Sequence, residues 1–140
     1  MARSITPNVR GASAKDILDL ARKLDVRSMR LQFTDILGVN KNVEIPASQF
    51  PKALAGDIMF DGSSIEGFVR IEESDMLLAP DLSTFRLFPF GPQEGRIARL
   101  ICDIRMPNGD PFPGDPRGAL KRQIARAQQM GFAMNAGMEA

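Results

Sequence analysis

Between Ser28 and Thr34 polar and apolar residues alternate without a break. Met29, Leu31 and Phe33 fall on one side, Arg30, Gln32 and Thr34 on the other. Such alternation predicts a half-buried strand. Just upstream the period changes: Ile17, Leu18, Ala21 and Leu24 recur at helical spacing. Ser13, with Asp16 three positions on, supplies an acidic variant of the capping box, so a helix is predicted from about Ser13 to Asp25. Residues 1–12 carry Pro7, Asn8 and Gly11 with no period and read as a mobile arm. After the first strand, Asp35–Gly38 turns the chain and Asn40–Ile45 returns, predicting a hairpin. Pro46 ends the return strand, and Ser48 can cap a short helix that stops at Gly56.

Further on, Leu77–Ala79 and Thr84–Phe88 read as two short strands divided by a Pro80-Asp81 turn, and Pro89, Gly91 and Pro92 break the pattern. Arg96–Ile104 is a clear strand with Ala98, Leu100, Cys102 and Ile104 on one face, which makes Cys102 a small core residue. Turn signals then crowd between Arg105 and Asp115, marking a domain boundary. Asp115 caps a helix with Pro116 at its first position. Leu120, Ile124 and Ala127 form its apolar side, while Arg117, Lys121, Arg122 and Arg126 form a basic side that reads as a solvated face. Gly131 ends the helix. Residues 132–140 alternate again, as a strand just beginning whose apolar members need partners that no later segment supplies. Hairpins with a packed helix indicate an α+β fold.

Composition narrows the function classes. The 140 residues are 44% hydrophobic and 25% charged, with a net charge of +1. This is an ordinary soluble composition with no bulk attraction to nucleic acid or an acidic membrane. No apolar run approaches the roughly 18–20 residues that span a bilayer. The basic N-terminus lacks the apolar block of a secretory signal. A single cysteine suits a reducing cytoplasm, and with no histidine a His-based triad or zinc site cannot come from this chain alone.

The chemistry concentrates between Met59 and Met76. Five carboxylates lie there, Asp61, Glu66, Glu72, Glu73 and Asp75, among glycines and serines. The stretch is too polar for a core strand and too rich in glycine and serine for a helix, so a structured acidic loop is predicted. Asp61-Gly62 is a tight-turn pair, and Ser63 and Ser64 add hydroxyls that can cap the turn or bind a ligand.

Four blocks in order carry a resemblance. They are Leu31-Gln32-Phe33-Thr34-Asp35-Ile36-Leu37-Gly38 with Lys41-Asn42-Val43-Glu44-Ile45-Pro46; Phe60-Asp61-Gly62-Ser63-Ser64-Ile65-Glu66-Gly67-Phe68; Glu72-Glu73-Ser74-Asp75-Met76 with Pro80-Asp81; and Cys102-Asp103-Ile104 followed by Gly114-Asp115-Pro116-Arg117. Together, across about residues 13–139, the chain resembles the N-terminal part of bacterial class-I glutamine synthetase. The resemblance implies an N-terminal arm and helix over 1–23 and a β-grasp, ubiquitin-like domain over roughly 24–106. It also implies the truncated start of a larger α/β catalytic domain over 112–140.

What the resemblance implies about function is specific. Glutamine synthetase joins ammonia to glutamate, using ATP to activate the side-chain carboxylate. Ammonium must be held and must lose a proton before it can attack. Carboxylates suit the first task by charge; with a usual pKa of about 3.9 they are weak bases until neighbouring carboxylates or burial raise it. The family assigns ammonium binding and deprotonation to the position of Asp61 and support of that site to Asp75. In the family this loop serves the active site of a neighbouring subunit, and the resemblance implies a dodecamer. Ser63 and Ser64 are candidate substrate-binding residues in the same pocket, with turn capping as the alternative. Arg70 matches a position tied to glutamine feedback in the non-adenylylated bacterial subtype, the alternative being a partner for Glu72 or Glu73. Phe68, where another subtype has tryptophan, fits that subtype. Glu139 matches the first acid of a Glu-x-Glu motif that binds Mg²⁺ or Mn²⁺, although one carboxylate makes only an incomplete metal site.

Two function classes follow. One is the front portion of a glutamine synthetase, an ATP-dependent ligase. The other is a stand-alone β-grasp module that binds or regulates the full-length enzyme through its acidic loop. The DNA downstream of Ala140 discriminates them.

Overall fold

The structure, a computed structural model, describes residues 8–64, 75–91 and 94–137. The readings made on Glu66, Phe68, Arg70, Glu72, Glu73 and Glu139 lie outside these residues.

Ser13 caps the first helix, α1 (Ala14–Lys23), through a complete capping box with Asp16. Its apolar stripe buries Ile17 and Ala21. Asp25 follows at φ 51°, a conformation uncommon for a non-glycine residue. Its carboxylate accepts from Gly95 N at 2.7 Å and its carbonyl from Arg96 N at 2.8 Å. That turn therefore fixes the start of β1 (Val26–Thr34) beside the start of β5 (Arg96–Arg105).

β2 (Asn40–Pro46), β3 (Ile58–Asp61) and β4 (Asp75–Leu87) complete one sheet in the order β2-β1-β5-β4-β3. β1 and β5 run parallel at its centre, and every other neighbouring pair is antiparallel. The predicted alternation holds. Met29, Leu31, Phe33, Ala98, Leu100, Cys102 and Ile104 all point into one core with Met76, Leu78 and Phe85. α1 and α2 (Phe50–Leu54) contribute Ile17, Ala21, Phe50, Ala53 and Leu54 to the same core. Burial pushes the Cys102 thiol up to about 12, as befits an inert packed sulfur.

The structure corrects several sequence readings. Val9 belongs to the core, so the segment before α1 is anchored at that point. Ser48 lies inside a 3₁₀ turn (Ala47–Gln49) that leads into α2, and neither element has a side-chain cap. The two short strands expected around Pro80-Asp81 are one strand, β4, with an irregularity between Asp81 and Arg86. Side chains satisfy that irregularity. Asp81 Oδ1 accepts from Ser83 N at 3.1 Å and from Ser83 Oγ at 2.6 Å. Thr84 Oγ1 donates to the Asp81 carbonyl at 2.6 Å and accepts from Ile101 N at 2.8 Å, replacing a lost ladder bond. Met59–Asp61 is not loop but most of edge strand β3. An edge strand needs an apolar face on one side only, and Ile58 with half-buried Phe60 provides it.

Beyond β5 the predicted helix, α3 (Pro116–Gln129), starts at an Asp115 cap as expected, and Gly131 follows it at φ 83°. Contacts with the sheet continue past Arg105. Phe112 joins the core, its N–H bonds the Ile104 carbonyl at 3.0 Å, and buried Asp115 accepts from Ile104 N at 3.2 Å. Residues 132–137 form no strand and lie exposed, because alternation alone makes no ladder without a neighbouring strand.

Candidate functional site

β3 and β4 form a hairpin whose register ends on Asp61 opposite Asp75. Ile58, Phe60, Met76 and Leu78 take the inner face. By strict alternation, Asp61 and Asp75 share the outer face, and both are exposed. The two ends of the acidic stretch thus meet at the mouth of the connection between these strands. Directly opposed strand residues lie only about 4.5–5.5 Å apart at Cβ, and like charges there repel. Such a pair becomes favourable when a cation sits between the carboxylates.

Local turn chemistry orients Asp61. Its Oδ1 accepts from Ser63 N at 2.9 Å and from Ser63 Oγ at 2.6 Å, an Asx turn that closes a 3₁₀ segment (Gly62–Ser64). Ser63 therefore caps the turn and holds the carboxylate. Ser64 lies in the same segment. Arg70 and Glu139 are outside the described residues. Among the described residues no three carboxylate, thiol or imidazole side chains come together. They do not fit a divalent metal.

A second charged cluster escaped the sequence reading. The basic side of α3 is not simply solvated. Arg117 forks between two sheet carboxylates, Asp81 at 2.6 Å and Asp103, and Lys121 reaches Asp103 at 2.5 Å. The expected apolar side contributes little, since Leu120 is exposed and no residue of α3 is fully buried. α3 is therefore held by its Asp115 cap and by ion pairs. The signal was present as two aspartates on outward strand positions, but the irregularity in β4 hid the parity of Asp81.

This cluster is expected to make the fold acid-sensitive. Burial raises the Asp81 pKa, but hydrogen bonds from Ser83 and Arg117 and the Arg117 charge outweigh it, leaving the group below the usual carboxylate range. A carboxylate depressed in the folded state stabilises above its unfolded pKa and loses that contribution as pH falls through the folded value. Melting temperature is expected to drop below about pH 4. Asp81→Asn should lower it at neutral pH and flatten the acid limb, which thermal denaturation across pH will show.

Comparison with known proteins supplies the family. Residues 25–107 match the family model described as glutamine synthetase, beta-Grasp domain. The chain belongs to that family. The mixed sheet with its parallel central pair is thus a β-grasp, within the α+β class expected. The chain is 60% identical over 125 residues to a glutamine synthetase of Thermus thermophilus, covering 87% of this chain. It is 56% identical over 125 residues to one of Clostridium saccharobutylicum, covering 89%. In both cases it spans only 28% of the relative's length. The cryo-EM structure of Plasmodium falciparum glutamine synthetase superposes with a TM-score of 0.77 over 93% of this chain and 24% of that one, at 23% identity, which is a likeness of fold.

Among the described residues no helix is long and apolar enough to cross a membrane.

Proposed function

We propose that this chain is the N-terminal portion of a glutamine synthetase, and that it supplies the ammonium-site carboxylates for ATP-dependent ligation of ammonia to glutamate. The observation that carries this reading is the register of β3 against β4, which sets Asp61 opposite Asp75 at the end of the paired strands. Two carboxylates on one exposed face attract a small monovalent cation, and either can accept its proton. Ser63 fixes the direction of the Asp61 carboxylate before the cation arrives. In this reading the pair works by projecting into a site built elsewhere. A neighbouring subunit of a cytoplasmic dodecamer is that location in this reading. Mg²⁺ or Mn²⁺ and ATP belong to the complete enzyme.

A hybrid enzyme tests the proposal. Residues 25–107 of this chain replace the matching segment of the Thermus thermophilus enzyme. The hybrid is expected to assemble and to make glutamine at a rate within about tenfold of its parent, while this chain alone forms no glutamyl hydroxamate. An assembled hybrid without activity would refute the assignment.

A further inference from the structure

The outer face of the sheet carries a row of charges in register across four strands. Arg86 on β4 is opposite Arg99 on β5, Arg99 is beside Arg30 on β1, and Arg30 is opposite Glu44 on β2. Adjacent strands lie about 4.8 Å apart, so three guanidinium groups crowd one line. Like charges placed directly opposite destabilise a sheet. Two of the three are accounted for. Arg30 Nε donates to Glu44 Oε2 at 2.9 Å and its guanidinium stands over the Phe88 ring, 5.2 Å from the centroid. Arg86 folds back onto the Phe85 carbonyl at 2.6 Å. Arg99 is half-buried and makes no hydrogen bond or ion pair with any described residue.

Arg99 lines a groove of about 440 Å³ together with Gln32, Thr34, Asn40, Phe88 and Ile101. That volume is within the range of small-ligand sites, in which apolar walls surround a few placed polar groups. The guanidinium offers a planar fork of donors that matches a carboxylate, and the amides of Gln32 and Asn40 and the hydroxyl of Thr34 add more. Phe88, whose ring also receives the Arg30 guanidinium, and Ile101 add apolar lining. Elsewhere on the same face the chain shows how it treats such charge. The acidic pair Asp81 and Asp103 is answered by Arg117 and Lys121 of α3, whereas Arg99 has no counterpart among the described residues.

We propose that the Arg99 groove is a binding site for a small carboxylate carried on a flat apolar body, separate from the Asp61–Asp75 hairpin end. Benzoate is the probe, with inorganic phosphate as the oxyanion without a flat body and benzamide as the flat body without charge. Backbone amide shifts of the isotope-labelled chain are followed at low ionic strength. Benzoate should saturate with a Kd in the millimolar range, shifting Gln32, Thr34, Arg99 and Ile101, and should bind more tightly than either control. Arg99→Gln should weaken it at least about tenfold, as expected for loss of a charge-assisted contact. Because Arg99 stands between two other arginines, the same change should leave the melting temperature equal or higher. Shifts that stay linear in benzoate to about 50 mM, or that fall outside the groove, overturn the proposal. Equal binding of phosphate or benzamide overturns the ligand class. Unchanged benzoate affinity in Arg99→Gln overturns the role of Arg99. If that variant fails to fold, the wild-type titration with its two controls still decides the matter.

Discussion

In the hybrid or complete enzyme, Asp61→Asn is expected to lower turnover by about 10²–10⁴-fold, the usual contribution of acid–base assistance. The substitution preserves shape. An asparagine Oδ1 can still accept from Ser63 N and Ser63 Oγ, so the turn after β3 should keep its geometry. What disappears is one of two opposed negative charges and the base itself. The loss should therefore fall on attack by ammonia, with ATP and glutamate binding nearly unchanged. Phosphorylation of glutamate should survive, since that step uses groups outside this domain in the proposed reading. Rapid-quench measurement of acyl phosphate against steady-state glutamine formation separates the two steps. Mixed assemblies sharpen the test. Asp61→Asn subunits combined with subunits inactivated in the catalytic domain should regain part of the activity, because some interfaces pair an intact loop with an intact partner site. Normal turnover in Asp61→Asn, or mixed assemblies that form and stay inactive, would remove Asp61 from the mechanism.

The inner face of the sheet was legible because burial imposes period two on β5 and on β1 from Ser28 onward, beyond the register shift between Val26 and Ser28. α1 was legible from a cap and a stripe that agree. The sequence hid what depends on long-range partners. β3 is four residues at an edge, with one inward face and two outward polar or exposed positions, so its local composition resembled a loop. Only pairing with β4 makes it a strand, and only that pairing puts Asp61 opposite Asp75. The family resemblance had named both residues, but nothing in the spacing placed them together. The continuity of β4 is hidden in the sequence because Pro80 and Asp81 carry turn chemistry. In the fold, Thr84 and Ser83 absorb that chemistry within one strand. The basic face of α3 looked solvated because its partners, Asp81 and Asp103, are far away in sequence. Charge complementarity of this kind appears only after the sheet parity is known.

Phe33→Ala is expected to destabilise the chain by roughly 3–5 kcal/mol, a large share of the 5–15 kcal/mol typical of a domain. Phe33 is 3% exposed, on the inner face of central strand β1. Its ring lies 4.7 Å from that of Phe60, tilted by 36°, so one contact joins β1 to the far edge strand. Truncation leaves a cavity and also removes an aromatic pair worth about 0.5–1.5 kcal/mol beyond its buried area. Phe60 immediately precedes Asp61, so the consequence should reach the site. In chains that remain folded, amides of Ile58–Asp61 should exchange faster relative to those of β5, because β3 is anchored along only one side. Urea denaturation gives the global loss, and hydrogen exchange resolved by residue gives the local one. A Phe33→Leu variant keeps apolar volume without the ring and should recover most of the global stability but not the protection of β3. An unchanged urea midpoint in Phe33→Ala would mean that the β1 side chain does not carry the core. Full recovery of β3 protection by leucine would mean that volume, not the ring pair, holds the hairpin that presents Asp61 and Asp75.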